Sequence, residues 1–362
     1  MAGKDMDLSA SRASCEGPTR RGALGLIGAG VGGLVSSKVL AQGQTTEDFY
    51  KGKTISIIVG FPPAGSYDTY ARLVATHLPR HIPGNPTIIT RNMPGAGSVT
   101  AAAFVYGSAP NDGLTIGVVA PTLPLDERLG TIKTPMKSSE FGWIGRVNPL
   151  VNVVFVRASS IGSMAEAYTT PVRFAATGAG SAVTIYPNVM NHVLGTKFEL
   201  ILGYKGSAES MLAVERGEAD GHCTGWDTLK TTHPDWVSSK KIRLLTQFAV
   251  NRHPELPDLP TVLELAKTDR QKALIRSVVN AAEIGTAFMT TPNVQPDRLA
   301  LLRTAFDNCM KDPAFIADLQ KRNFGLNPLS GSMVGSLVAD VSQVSEELVP
   351  ELREAYSIKA NR

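Results

Sequence analysis

The stretch that decides the fold runs from Ile55 to Asp68 and reads ISIIVGFPPAGSYD. Its apolar first half is typical of a buried β-strand that ends at Gly60. A Pro/Gly turn follows, and a helical pattern begins at Ser66. Backbone N–H groups at a helix start have no partner inside the helix, and the helix dipole adds partial positive charge there. The stretch therefore predicts a turn that binds a carboxylate or a phosphate.

A second turn of the same kind follows the apolar run Arg173–Ala176. It reads TGAGS from Thr177 to Ser181, and a helical pattern starts at about Ala182. In open α/β sheets, ligands bind beyond the carboxyl ends of the strands. If the two units face one another, both turns point into one cleft. Small residues are needed in such turns because a larger side chain would fill the space in which the ligand approaches the backbone.

The rest of the chain alternates apolar strand patterns with helical patterns. The strand patterns include Val151–Val156, Ile242–Phe248 and a run from Asn280 to Phe288. This alternation predicts an α/β fold with parallel strands and helices on both sheet faces. A second unit starts near Arg146, and the chain is expected to cross back near residues 270–280. The last helical patterns are expected to return to the first unit, and Cys309 shares an apolar helix face with Leu302 and Phe306.

The bulk composition excludes several classes of function. The 362 residues are 43% hydrophobic and 19% charged, with a net charge of +4, so nucleic-acid binding has little support. The three cysteines and six histidines form no pair with metal-ligand spacing, so we expect no metal site. No G-x-S-x-G motif is present, and no nearby histidine is placed to activate Ser181 or Ser207, which argues against an acyl-transfer enzyme.

The first 41 residues have the pattern of an export signal. Basic residues precede an apolar run from Gly22 to Val35, and Val39-Leu40-Ala41 is a small-residue cleavage pattern. The segment around Arg20 and Arg21 resembles a twin-arginine signal, although Ala23 stands where phenylalanine is usual, so the export route stays open.

The same region offers an alternative function. Gly28, Gly30 and Gly33 match the G-x-G-x-x-G fingerprint, and Glu47 lies about 20 residues further on. This alternative is a flavin- or NAD-dependent oxidoreductase. Against it, the next strand begins at Thr54, after Glu47, whereas the fingerprint requires a strand that ends at the acidic residue.

Six short motifs in order resemble a family of extracytoplasmic receptors. They are FPPAGSYD from Phe61, NMPGAG from Asn92, APNDGLT from Ala109, GAGS from Gly178, YKGSA from Tyr204 and LPDLPTVLE from Leu256. Together they resemble the Bug-type solute-binding proteins of tripartite tricarboxylate transporters. The resemblance extends over about residues 53–335. Ala64 stands in place of a usual glycine, and Thr184 and Ile185 stand where a histidine is common.

The resemblance implies a periplasmic clamshell of two Rossmann-like lobes joined by a hinge. The export signal is assigned to 1–41, lobe 1 to 42–146 plus 271–362, and lobe 2 to 147–270. The implied function is capture of a small carboxylate or aromatic-acid solute for a membrane permease, by a monomer without catalytic residues or cofactor. A receptor that serves a sensor kinase is not separated from this by the sequence.

The expected ligand-binding residues come from both turns and their surroundings. Ser66 and Ser181 either cap their helices or reach the ligand, and Asp68 supports the helix dipole or contacts the solute. Phe61, Tyr204 and Trp226 are candidates to cover an apolar or aromatic ligand body, Lys205 to pair with a carboxylate, and Asp227 to bind an amine or hydroxyl. The remaining candidates are Pro63, Ala64, Gly65, Ala120, Thr122, Gly178, Ala179 and Gly180.

Overall fold

Two β-sheets with helices packed on them organise the chain. The computed structural model describes residues 46–357, and these belong to one compact unit. The predicted export signal, the fingerprint from Gly28 to Gly33 and Cys15 lie outside the described residues. None of the helices within 46–357 has the length and apolar character that crossing a membrane requires.

The first sheet has the strand order β11-β4-β10-β3-β1-β2 and the second β7-β6-β8-β5-β9. The strands are β1 Thr54–Val59, β2 Thr87–Asn92, β3 Thr115–Val118, β4 Gly142–Arg146, β5 Asn152–Arg157, β6 Val172–Ala175, β7 Phe198–Ile201, β8 Gly221–Gly225, β9 Ile242–Phe248, β10 Ala287–Thr290 and β11 Leu329–Ser330. Strand β1 is parallel to β2 and β3, and β6 is parallel to β7 and β8. Strands β10 and β5 run antiparallel to their neighbours.

The helices follow the strands in the alternation that the sequence predicts. They are α1 Thr46–Phe49, α2 Ser66–His77, α3 Val99–Gly107, α4 Leu123–Leu129, α5 Ala182–Val189, α6 Ser207–Arg216, α7 Trp226–Thr232, α8 Pro234–Ser238, α9 Asp269–Ala282, α10 Pro296–Cys309, α11 Pro313–Lys321, α12 Gly331–Ser342 and α13 Val349–Tyr356. Helices α2, α10 and α12 pack on the first sheet and α11 packs on α2, whereas α13 contacts α4 of the first lobe and α5 of the second.

The segment between β4 and β5 joins the two sheets. Arg146 is buried at the end of β4, and its guanidinium donates to the carbonyls of Glu283 and Asn327. The Thr286 N–H donates to the Asn148 carbonyl over 2.9 Å. Gly285 has φ +61°, and a Cβ there would lie 2.2 Å from the Asn148 carbonyl oxygen. The outgoing and returning segments are therefore paired, as a hinge would require, and the lobe boundaries at 146 and 270 stay predictions.

The buried core has three parts. One apolar cluster extends through both lobes, one lies in the first lobe and one in the second. Cys223 and Cys309 are fully buried free thiols, and burial raises the pKa of Cys309 to about 12. The prediction that Cys309 belongs to the core is confirmed.

Candidate functional site

The first turn presents helix N–H groups that no side chain caps. Gly65 is the N-cap residue of α2, with extended backbone and no side-chain capping bond. A Cβ at Gly65 would meet nothing within 4 Å. Because the first N–H groups of a helix have no intrahelical acceptor, this turn offers uncapped donors next to the open space at Gly65.

Asp68 holds this turn in shape. Its Oδ2 accepts from the Ala64 N–H over 3.1 Å and from Arg72 Nε over 2.8 Å. Its Oδ1 accepts from Asn92 Nδ2 over 2.8 Å, and the same amide donates to the Phe61 carbonyl over 2.9 Å. Burial alone would raise the pKa of Asp68, but the hydrogen bonds from Arg72, Asn92 and Ala64 outweigh it and lower the pKa. Both carboxylate oxygens are thus engaged inside the first lobe.

The second turn has the same uncapped arrangement. Ser181 occupies the N-cap position of α5, but its side chain makes no capping bond. Instead, Ser181 Oγ donates to the Gly178 carbonyl over 2.9 Å and hydrogen-bonds the hydroxyls of Thr177 and Thr184. A Cβ at Gly178 would meet nothing within 4 Å. The hydroxyls therefore stabilise the loop and leave the first N–H groups of α5 available.

The two lobes touch beside these turns. A Cβ on Gly97, which has φ +65°, would lie 2.1 Å from the Gly180 carbonyl oxygen, and one on Gly180 would lie 3.5 Å from that of Ala96. The Ser66 and Thr228 hydroxyls are hydrogen-bonded to each other across the lobes. The structure is therefore a closed arrangement in which Gly97 permits the closest approach. Ser66, at the first position of α2, is an interlobe contact and not the cap.

Asp227 forms a second contact between the lobes. Its Oδ2 accepts from the Tyr70 hydroxyl over 2.8 Å, and that hydroxyl lies 2.9 Å from the Gly325 carbonyl. Lys230 Nζ lies 3.1 Å from Asp227 Oδ1, and Asn148 Nδ2 lies 3.4 Å from Oδ2. Burial, followed by the charge of Asp227, raises the pKa of Tyr70 far above its usual value. The carboxylate expected to bind an amine or hydroxyl of the solute is thus occupied by protein groups.

The aromatic candidates have different surroundings. Phe61 stacks on Tyr67 with ring centroids 4.1 Å apart and an interplanar angle of 13°. Tyr204 is half-buried beside the second-lobe core. Trp226 is buried in that core, and its indole N–H donates to Glu255 over 2.6 Å. Trp226 therefore has packing and a polar partner without any solute.

The other candidates differ in exposure. Ala120 and Thr122 are buried, and the Ala120 N–H donates to Ser98 Oγ over 2.8 Å. Lys205 is exposed, and its backbone N–H donates to Glu209. The exposed candidates in the two turns are Pro63, Ala64, Gly178, Ala179 and Gly180. Ala64 has φ +71°, a left-handed conformation in which glycine is favoured.

An open groove of about 440 Å³ lies beside the first turn. Its lining includes Ala64 and Ser66 from the turn, Lys230 from α7, and Lys321 and Arg322 from the end of α11. Sequence reasoning missed these basic residues, as well as Gly97 and Tyr70. Gly97 lies within the NMPGAG motif, which was a usable signal. Tyr70 carried no signal, because its partner Asp227 lies 157 residues away.

Two α/β lobes that close on a pair of uncapped helix N-termini define the class of periplasmic-type solute-binding proteins. The family model described as the tripartite tricarboxylate transporter family receptor matches residues 70–353. The chain belongs to this family, whose receptors are periplasmic. The family is one of binding receptors, and the oxidoreductase alternative gains no support.

Curated relatives agree with this assignment. The chain is 25% identical over 335 residues to a UPF0065 protein of Cupriavidus necator, which covers 90% of this chain and 95% of the relative. It is 28% identical over 228 residues to the protein BugT of Bordetella pertussis, covering 60% and 67%. A UPF0065 protein of a Pseudomonas species is 25% identical over 228 residues, and the chain spans 65% of that relative's length.

Solved structures of low sequence identity share the fold. The periplasmic binding protein BugD superposes with a TM-score of 0.66 at 19% identity, over 84% of this chain and 98% of that one. MatC of Rhodopseudomonas palustris, solved with bound malate, gives 0.64 at 19% identity over 82% and 99%. A second R. palustris protein, solved with adipate, gives 0.63 at 18% identity over 83% and 97%. The predicted two-lobed α/β fold is confirmed.

Proposed function

We propose that this receptor captures a small solute by its carboxylate, which accepts hydrogen bonds from the first-turn N–H groups of α2 and α5. The observation that carries the proposal is the absence of a side-chain cap at both helix starts, together with the open space in front of Gly65 and Gly178. Backbone donors and two helix dipoles supply the positive potential without an arginine.

Related receptors support a carboxylate as the ligand group. MatC was solved with malate and another R. palustris protein with adipate. The net charge of +4 is small for the length of the chain, so any attraction of an anion is local to the turns. Of the sequence candidates, the proposed contacts are those in the two turns. Phe61 and Tyr67 cover the adjacent apolar part of the solute, and an aromatic acid is included among the candidate ligands.

The proposal also covers the oligomeric state, the export route and the membrane partner. The chain acts as a monomer, is exported by the twin-arginine pathway, and delivers its solute to the membrane permease of a tripartite transporter. Support for the permease comes from the family description. Support for the route comes from Arg20 and Arg21 ahead of a glycine-rich apolar run.

The first test identifies the solute and then removes its site. A thermal-shift screen of the mature protein against mono-, di- and tricarboxylates and aromatic acids finds ligands, because a ligand specific to the folded state raises its stability. We expect Gly65→Asp to abolish binding in calorimetry, because it places a negative charge where the carboxylate binds. The fold should survive, because a Cβ at this position meets nothing within 4 Å.

Gly335→Asp is the matched control. Gly335 lies in α12, and a Cβ there also meets nothing within 4 Å, so the same charge is added away from both turns. The control should bind as the wild type does. Unchanged affinity in Gly65→Asp would refute the assigned site.

A further inference from the structure

Three helices bring buried polar side chains together where the two lobes meet. Asp126 lies on α4 of the first lobe, Tyr186 on α5 of the second, and Tyr356 at the end of α13. Arg353 Nε on α13 donates to the Leu129 carbonyl over 2.7 Å, and Asn188 Nδ2 on α5 donates to the Ala355 carbonyl over 2.7 Å. Helix α13 is therefore hydrogen-bonded to both lobes. Its last residue, Tyr356, forms a cluster with Asp126 and Tyr186.

The polar groups of this cluster are poorly satisfied by protein partners. Within the described part of the chain, the hydroxyls of Tyr186 and Tyr356 are buried without any hydrogen bond. Asp126 is 7% exposed, and its carboxylate accepts a 3.3 Å hydrogen bond from the Thr131 hydroxyl. Burial raises the pKa of Asp126 to about 7, and the hydroxyls of Thr122 and Thr131 oppose this only in part.

The basic side chains around the cluster are directed elsewhere. Arg353 donates to the Leu129 carbonyl, and Arg128 donates to the Val344 carbonyl and pairs with Glu346. Within residues 46–357, Asp126 therefore has no counter-ion, and its polar neighbours are the hydroxyls of Thr122 and Thr131 and the phenols of Tyr186 and Tyr356. Buried polar groups are normally hydrogen-bonded and buried charges are normally paired, so the two phenols and the unpaired carboxylate call for a group that residues 46–357 do not supply.

Tyr186 connects the cluster with the helices that begin at the two turns. Tyr186 lies in the helix that begins after the Ser181 turn, and Tyr67 lies in the first turn of α2. The two rings are close enough that Tyr186 contributes to the raised pKa of Tyr67, after burial. Burial is the main cause of the raised pKa values of Tyr186 and Tyr356, and the charge of Asp126 contributes to both. The inference therefore directs the far end of a solute held at the turns along α5 toward Asp126.

We propose that Asp126, with the hydroxyls of Tyr186 and Tyr356, binds a protonated nitrogen at the far end of the solute, so that the receptor prefers an ω-amino carboxylate to a dicarboxylate. An ammonium group donates three hydrogen bonds, and one carboxylate and two phenol oxygens accept three. A second carboxylate on the solute would instead face the charge of Asp126, which disfavours it. The inference rests on the proposed function, since the carboxylate end is held at the turns.

The test compares solutes of matched length that differ only at the far end. The pairs are 4-aminobutyrate with succinate, 5-aminopentanoate with glutarate, and 6-aminohexanoate with adipate, each measured by titration calorimetry. At the length that fits, we expect the amino member to bind at least about tenfold more tightly. Asp126→Asn, which keeps the shape of the side chain, should remove that preference by weakening the amino member about tenfold or more and leaving the dicarboxylate unchanged or tighter.

Two further variants keep the outcomes separate. Asp297→Asn removes an exposed carboxylate on α10 and should leave every affinity unchanged, and Tyr356→Phe should weaken the amino member only. One outcome separates the two claims: dicarboxylates bind, Gly65→Asp abolishes that binding, the amino members are not preferred, and Asp126→Asn has no effect. This outcome would overturn the inference and leave the proposed function standing. Failure of every carboxylate to bind would overturn both.

Discussion

At the scale of single residues, the first turn owes its shape to Asp68 and its openness to Gly65. The motif FPPAGSYD predicted both the turn and the helix start at Ser66, because proline, glycine and the following periodicity are local signals. The partners of Asp68 were not predictable, since Asn92 lies 24 residues away on the next strand. For the same reason the sequence left Ser66 and Ser181 open between capping and ligand binding. Neither hydroxyl caps its helix.

The stability of the ligand-free protein should depend on pH because of Asp126. Burial raises its pKa from 3.8 to about 7, so the protonated form is favoured in the folded state. A raised pKa contributes stability that is present below the unfolded value and is lost as pH rises toward the folded value. The free energy of unfolding should therefore fall between pH 4 and 7, relative to Asp126→Asn, by at most about 1.4 kcal/mol per pH unit.

Urea unfolding of both proteins at intervals across this range measures the difference. The titratable groups that face Asp126 from α5 and α13 are Tyr186 and Tyr356, whose pKa values burial raises, so both stay neutral throughout. Parallel curves for the wild type and Asp126→Asn would contradict the assignment.

At the scale of elements, strong local patterns predicted most of the sheet strands. The run Ile242–Phe248 is β9 as predicted, and β1, β5 and β6 match their predicted runs within two residues at each end. The prediction of a strand from Asn280 to Phe288 was wrong. Residues 280–282 are the end of α9, where Ala281 and Ala282 are buried, and β10 begins only at Ala287. Strand β4, Gly142–Arg146, was not predicted. Its two glycines weaken the strand pattern, while a Cβ at Gly145 would lie 2.5 Å from Phe306.

Helix α2 carries a bond that stabilises the closed arrangement. Tyr70→Phe removes the hydroxyl that donates to Asp227 of α7 across the lobes. We expect a larger radius of gyration for the ligand-free protein in solution scattering and an affinity about threefold to tenfold weaker, since a hydrogen bond to a charged group is lost from the closed form. Tyr50→Phe is the control, because Tyr50 contacts the Gly113 carbonyl within the first lobe. Equal scattering and affinity for Tyr70→Phe and the wild type would count against this role.

At the scale of the whole molecule, the sequence predicted two lobes and two turns that face one cleft, but not the residues through which the lobes contact each other. The residues that meet there are distant in sequence, as are Ser66 and Thr228, 162 residues apart. No local pattern encodes such a contact. The first lobe takes strands from both ends of the described chain, and α13 contacts both lobes. Closure therefore depends on small residues at the contact and on the paired segments near Arg146 and Gly285.

Gly97→Ala should block closure without unfolding the lobes. A Cβ there would lie 2.1 Å from the Gly180 carbonyl oxygen, and the residue has φ +65°. Gly195→Ala is the matched control, because Gly195 has φ +82° and a Cβ there would meet nothing within 4 Å. Both variants should lose about 1 kcal/mol of stability from the left-handed conformation. Only Gly97→Ala should lose solute affinity, by about tenfold or more. Equal affinities of the two variants in calorimetry would contradict this account of the contact between the lobes.

The central claim is that the solute's carboxylate lies between the starts of α2 and α5. The most direct measurement is a crystal structure of the mature protein with the solute that the thermal-shift screen identifies. The account predicts carboxylate oxygens within hydrogen-bond distance of first-turn N–H groups of both helices, with Gly97 against Gly180. A solute bound elsewhere, such as in the groove beside Lys321 and Arg322, with both turns empty, would contradict it.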